Sequence, residues 1–190
     1  MSKEVEDIVK ILEAVDAFKK EFNYNPFDNY VWREILTFDY LKSYYPTIRK
    51  LSGRYGADGC CSELNLTYIE HKSTKAKKRK RSLDFNVIGS KYQIDMSKSL
   101  DKTFQSDAFV FSLFDSDDSR YPVHIIFVHE PINVQKVKDL ILEKKKLFDA
   151  KIDEKKTHVS VDLEYNELRQ LGRIFDNRMS KTNIMEFFYD

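Results

Sequence analysis

The chain of 190 residues carries 32 basic and 31 acidic side chains for a net charge of +1, with 42% apolar and 14% aromatic residues. That length supports one domain with a real core and is short for two, and the aromatic content excludes a disordered chain. No apolar run approaches the roughly 20 residues of a bilayer-spanning helix, and the start MSKEVEDIVKILEAVDAFKK is too acidic for a secretory signal, so a cytoplasmic protein is expected.

Val5, Ile8, Leu12, Val15, Phe18 and Phe22 recur at helical spacing and predict an amphipathic helix over 3–22. Asn25-Pro26 interrupts it, and a second helix is expected from about 28 to 45, ended by Pro46. Three of the five glycines, Gly53, Gly56 and Gly59, then cluster in LSGRYGADG, which reads as a shaped turn. Strands follow around 57–62 and 64–73, with a turn near Ser62-Glu63. Alternation puts Leu64, Leu66, Tyr68, Glu70 and Lys72 on one face of the second strand, and Asn65, Thr67, Ile69 and His71 on the other.

A run without acids, Lys72 to Arg81, precedes LDFNVIGSKYQI, a strand or hairpin arm, and a helix candidate over 93–105. DAFVFSLFD (107–115) and PVHIIFVHE (122–130) have the composition of central strands, with DSDDS (115–119) a hairpin turn. Pro131 opens a long helix to about 152, with Val134, Val137, Leu140, Ile141, Leu147 and Phe148 inward. HVSVDLEY (158–165) is a late strand, followed by a short helix near 166–172 and a polar tail. The economical assembly is α/β: a single domain with a central mixed sheet flanked by helices.

Cys60 and Cys61 are adjacent, a spacing that disfavours a disulfide and fits no zinc pattern, so both are expected reduced. His71 is expected to pack or hydrogen bond away from Glu70 and Lys72, and His124 and His129 show no metal-ligand spacing. Tyr44, Tyr45 and Tyr55 read as packing residues at least as readily as nucleic-acid contacts.

The chemistry concentrates between Arg54 and Lys72, in RYGADGCCSELNLTYIEHK. Asp58 leaves a glycine turn, while Glu70 and Lys72 lie two apart on a strand and project together. Two carboxylates suit a hard cation such as Mg²⁺, and an ammonium beside them can orient water or meet charge developing on a phosphate. The same acid-x-lysine spacing recurs at Glu143-x-Lys145 and Glu154-x-Lys156, in or beside the long helix, as ordinary surface. Only Glu70-x-Lys72 ends a strand, follows a glycine-shaped aspartate and precedes a basic run. Lys75, Lys77, Lys78, Arg79, Lys80 and Arg81 would contact phosphates there.

Asp58, followed after eleven residues by Glu70-His71-Lys72, resembles the PD-(D/E)xK nuclease superfamily and, within it, the type II restriction endonucleases. The resemblance extends through the downstream helix candidate and paired strands, over roughly 53–130. Ala57 stands where the family motif has proline. The resemblance implies a restriction-endonuclease-like fold and one nuclease domain over 1–190. Its parts are an N-terminal helical part (1–52), a catalytic core (53–130) and a C-terminal helix and strand (131–190).

The same resemblance implies a Mg²⁺-dependent, sequence-specific endonuclease for double-stranded DNA, a homodimer, and a cognate DNA methyltransferase in the cell. Asp58, Glu70 and Lys72 are then catalytic, and Asp58 and Glu70 bind the metal. An accessory acid from an early helix is also implied, with Glu34 the first candidate and Glu63 the second. Bases would be read by 84–92 or by residues beyond 158. Two alternatives stand beside this one: a structure-specific or repair nuclease with the same site, and a non-catalytic nucleic-acid-binding module in which the three residues form an ion network.

Overall fold

The computed structural model describes residues 3–22, 31–51, 56–75, 84–90, 103–114, 122–152 and 159–177. Outside them lie most of the basic run (77–81), the DSDDS turn, most of the helix candidate over 93–105, Gly53, Tyr55 and the tail from 178.

Helix α1 (Lys3–Phe22) follows the periodic apolar positions and buries Val15. Helix α2 (Val31–Leu41) ends before the expected limit near 45. Its end tightens into turns in which the Ser43 and Tyr44 amides donate to the Tyr40 and Leu41 carbonyls. Pro46, which has no N–H to give, follows directly. Strand β1 (Ile48–Lys50), which falls in the part expected to be helical, then starts an antiparallel run with β2 (Gly59–Cys61) and β3 (Leu66–Lys75). A 3₁₀ turn at Ser62–Leu64 links β2 to β3 and ends on Asn65, whose φ of 53° lies in the left-handed region that asparagine tolerates.

Strand β4 (Asp84–Ser90) is followed by β5 (Ala108–Phe114), β6 (His124–Val128) and α3 (Pro131–Ile152). Strand β7 (Val159–Glu164), the single-turn α4 (Tyr165–Leu168) and β8 (Arg173–Asp176) complete the described chain. Six strands form one mixed sheet in the order β1-β2-β3-β5-β6-β8, and β4 and β7 pair antiparallel in a separate two-stranded sheet. Among the described residues, only β3 and β5 pair in parallel in the large sheet. Strand β8 occupies a segment expected to be tail. Among the described residues no helix is long and apolar enough to cross a membrane.

Alternation along the central strands divides the core between two faces. Ala108, Val110, Ile125 and Phe127 join Phe38 and Leu41 of α2 on one face. Phe109, Phe111, Leu113, Ile126 and Val128 join Val134, Val137 and Ile141 of α3, with Phe85 of β4 and Val161 and Leu163 of β7, on the other. The result is three layers, with α2 on one side of the sheet and α3 with the β4–β7 ribbon on the other.

Strand β3 departs from simple alternation. Gly59 and Cys61 of β2 pair with Ile69 and Leu66, so a two-residue step on β2 faces a three-residue step on β3. This bulge changes the phase of the strand. Leu66 and Ile69 both enter the α2-side core, whereas unbroken alternation puts Leu66 on the face of Glu70.

Candidate active site

Strand β3 is central, so its middle is buried on both faces: Ile69, Glu70 and His71 are all buried. In the parallel register with β5, Glu70 stands beside Phe109 and Lys72 beside Phe111, on the face covered by α3 and the small sheet. Ile69 and His71 point to the α2 side, where the His71 ring meets Phe38 at 6.0 Å between centroids. The imidazole Nε2 lies 2.7 Å from Ser112 Oγ. His71 therefore packs and hydrogen bonds away from Glu70 and Lys72, as expected.

Asp58 arrives from the turn before β2 and is held at three points. Its amide donates to the Ile69 carbonyl at 3.0 Å, and its carbonyl accepts from Leu51 N–H at 2.9 Å. Its carboxylate Oδ2 accepts from the backbone N–H of His71 at 2.8 Å, in a buried setting. The acid is thereby fixed against the residue that lies between Glu70 and Lys72.

Gly59 makes that approach possible. A Cβ there would lie 2.4 Å from the Phe38 ring and 2.9 Å from the Arg49 carbonyl oxygen. A Cβ at Gly56 would meet open space, so of the two described glycines in the cluster only Gly59 is sterically required.

Glu70 is 1% exposed and its Oε1 forms an ion pair with Lys72 Nζ, while the lysine side chain remains 23% exposed. The carboxylate is inside and the ammonium reaches the border with solvent. Lys75 ends β3 in a half-buried position, and the basic residues after it, Lys77 to Arg81, lie outside the described residues.

The two accessory acids have different surroundings. Glu34, in the first turn of α2, pairs with Lys50 at 3.3 Å, with the two side chains 19% and 15% exposed. Lys50 is in register with Gly59, so this pair stands at the Asp58 end of β1 and β2. Glu63 lies beyond the opposite end of β2. Its carboxylate accepts from Thr47 N–H at 3.1 Å and from Thr47 Oγ1 at 3.0 Å, while its own N–H donates back to Thr47 Oγ1. Glu63 is an exposed clamp between β1 and the 3₁₀ turn, away from Asp58.

The remaining polar candidates are structural. Cys60 and Cys61 are both free thiols, with Cys61 in the α2-side core and Cys60 accepting from Arg49 Nε at 3.2 Å. His124 lies 3.2 Å from the Tyr165 hydroxyl and 3.5 Å from Asp176, and burial pushes its pKa below the usual 6.5. His129 packs against Phe127 and Tyr45, and burial lowers its pKa too. Tyr45 is buried core, whereas Tyr44 is exposed and packs on Phe175.

Two neighbours of the site have no signal in the sequence. Lys50, in register with Gly59 and paired with Glu34 on the α2 side, sits in a strand of three residues that propensity does not reveal. Asp107 accepts from the amides of Thr67 and Tyr68 in β3, a contact between segments forty residues apart.

The donor set suits a hard divalent cation: two buried carboxylates, one ordered by a backbone N–H, with a lysine beside the other. Among the described residues no three His, Cys, Asp or Glu side chains form a ready-made ligand group, and Mg²⁺ commonly takes one or two carboxylates and completes its shell with water and substrate phosphate. No protein-family model matches the chain, and no curated protein matches its sequence.

Proposed function

We propose that the chain is a Mg²⁺-dependent, sequence-specific endonuclease for double-stranded DNA, with a restriction-endonuclease-like fold and Asp58, Glu70 and Lys72 as its catalytic residues. The observation that carries this reading is the Asp58 carboxylate bonded to His71 N–H, between a buried Glu70 and its ion partner Lys72. Asp58 thus bonds to the backbone of the strand segment that carries Glu70 and Lys72, up to fourteen positions away in sequence.

In this reading Asp58 and Glu70 hold the cation through carboxylate oxygen. When bound, Mg²⁺ supplies Lewis acidity at the phosphate and favours ionisation of water beside it. His71 N–H fixes the rotamer of Asp58, so the acid does not need to reorganise as charge develops. Lys72, oriented by Glu70, either directs the attacking water or meets the negative charge that grows on the phosphoryl oxygens. Water adds to phosphorus and one P–O ester bond breaks, releasing a hydroxyl and a phosphate monoester. The basic run beginning at Lys75 gives sequence-independent affinity for the phosphate backbone, and that affinity falls steeply with salt. A homodimer acting in the cytoplasm on a short palindromic site, with a methyltransferase protecting cellular DNA, completes the proposal.

A second reading is supported by the Glu70–Lys72 pair itself, since an ion pair buried on one side also serves as a structural element of a non-catalytic module. Digestion of long mixed-sequence duplex DNA with Mg²⁺ separates the two. Discrete fragments from the native protein, abolished in Glu70→Ala and in Lys72→Ala, are expected. Cutting only at mismatches or junctions would shift the reading to a structure-specific or repair nuclease. Metal-independent binding without cleavage under any divalent ion would leave the binding module.

A further inference from the structure

Glu70 and Lys72 face the site only because β3 is out of phase with its own alternation, and one acid stands behind that shift. Asp107, the residue before β5, uses a single carboxylate oxygen to accept from Thr67 N–H at 2.9 Å, Tyr68 N–H at 2.9 Å and Thr67 Oγ1 at 2.8 Å. Its own N–H donates to the Tyr68 carbonyl at 2.7 Å. Thr67 and Tyr68 are the residues that lie between Leu66 and Ile69, where β3 makes its three-residue step. Two consecutive amides aimed at one oxygen cannot both enter a regular ladder, in which successive N–H groups point to opposite neighbours.

The alternative phase is costly. With regular pairing and Leu66 kept in the α2-side core, Glu70 and Lys72 turn toward Phe38 and Leu41. An uncompensated carboxylate among apolar side chains is strongly disfavoured. With Glu70 kept in place instead, Leu66 leaves the core. Asp107 removes this conflict by stabilising the bulge, and the same residue immediately precedes β5, whose Phe109 and Phe111 flank Glu70 and Lys72.

We propose that Asp107 is a positioning residue for the Asp58–Glu70–Lys72 site: its carboxylate holds the β3 bulge and so sets the face on which Glu70 and Lys72 stand. The effect on cleavage rests on the nuclease reading; the effect on strand phase does not. The test therefore uses two readouts on the full chain, with Asp107→Ala, Asp107→Asn and Thr67→Val.

The first readout is cross-strand NMR contacts. In the native protein Gly59 faces Ile69 and Cys61 faces Leu66, and Asp107→Ala is expected to lose at least one of these pairings while Asp107→Asn, which keeps an acceptor oxygen, retains both. Unchanged pairings in Asp107→Ala would overturn the proposal whether or not the protein cuts DNA. If Asp107→Ala does not fold, Thr67→Val decides: it removes one of the three bonds to Oδ2, and faster hydrogen exchange at the Thr67 and Tyr68 amides is expected, whereas native exchange would overturn the role.

The second readout is the steady-state rate of duplex cleavage with Mg²⁺ over a range of DNA concentrations. Displacement of the reacting groups by about 1 Å already costs on the order of 100-fold, so Asp107→Ala should lose at least about that in kcat with KM for DNA unchanged, and Asp107→Asn should recover most of it. Equal loss in Asp107→Asn with native strand pairings would show that the charge acts directly, and would refute a positioning role. No cleavage by the native protein refutes the nuclease reading and leaves the NMR result to judge Asp107.

Discussion

Removing one partner of the Glu70–Lys72 pair should not cost the same as removing the other. Glu70 is 1% exposed, while Lys72, at 23%, can turn its ammonium outward. Breaking a fully buried pair costs about 3–5 kcal/mol, because a charge is left uncompensated. Lys72→Met leaves the buried carboxylate and should approach that range. Glu70→Gln leaves a cation with an exit, so about 1–3 kcal/mol is expected, discounted from the same range for solvent access. The double variant Glu70→Gln/Lys72→Met removes both charges at similar volume and should return to within about 1 kcal/mol of the native protein.

The coupling is then at least about 2 kcal/mol, well outside the additivity expected of independent sites. Urea unfolding followed by fluorescence measures it, because Trp32 is the only tryptophan and packs edge-on to Phe114 at 5.6 Å. With a slope near 2 kcal/mol per molar urea, roughly, Lys72→Met should move the midpoint by more than about 1 M. Additive single variants, or a cheaper Lys72→Met than Glu70→Gln, would refute this account of the pair. Cleavage should be absent in all three variants, since the double variant restores stability without restoring the site.

Gly59→Ala, at the residue after Asp58, should destabilise by about 1–3 kcal/mol and abolish metal binding, because the new methyl meets Phe38, itself 1% exposed, and the Arg49 carbonyl; thermal melting and a Mg²⁺ titration check this. Thr47→Ala removes the two hydroxyl bonds of the exposed clamp to Glu63, keeps the backbone N–H bond, and should cost about 1 kcal/mol with cleavage unchanged, read by urea unfolding beside a digestion. Burial lowers the pKa of His124 and of His129 in the folded state, so the unfolded chain binds more protons as pH falls through about 6.5. Their stabilising contribution is complete above that pH and is lost progressively below it. The melting temperature should therefore fall between pH 7.5 and 5.5, with a shallower fall in His124→Asn.

The fold was legible wherever a pattern ran long enough to repeat. Helices α1 and α3 and strands β5 and β6 follow from the sequence pattern, since their apolar residues recur at helical spacing or run on at strand length. Strands β1 and β8, of three and four residues, carry too few positions for a period to show. Their place in the sheet comes from partners distant in sequence: β8 lies beside β6, with Phe175 alone buried in it. Strands β4 and β7, expected in the one central sheet, form a separate ribbon, a pairing between distant segments that periodicity does not reveal.

At the site, the Glu70–Lys72 pairing was visible in the strand spacing, and Asp58 in its glycine context. The bulge was invisible, because Leu66 and Glu70 obey alternation on paper. What breaks it is Asp107, forty residues from Thr67. Glu63 shows the converse: an acid close to Asp58 in sequence is carried away by the length of β2 and taken up by Thr47.

The central claim is that Asp58 and Glu70 form one metal site, and calorimetric titration of Mg²⁺ into the native protein and Asp58→Ala tests it most directly. The account predicts one site of millimolar-range affinity, on the order expected for a cation held by two carboxylates, lost in Asp58→Ala while the fold is retained. Equal heats in the two proteins would contradict it.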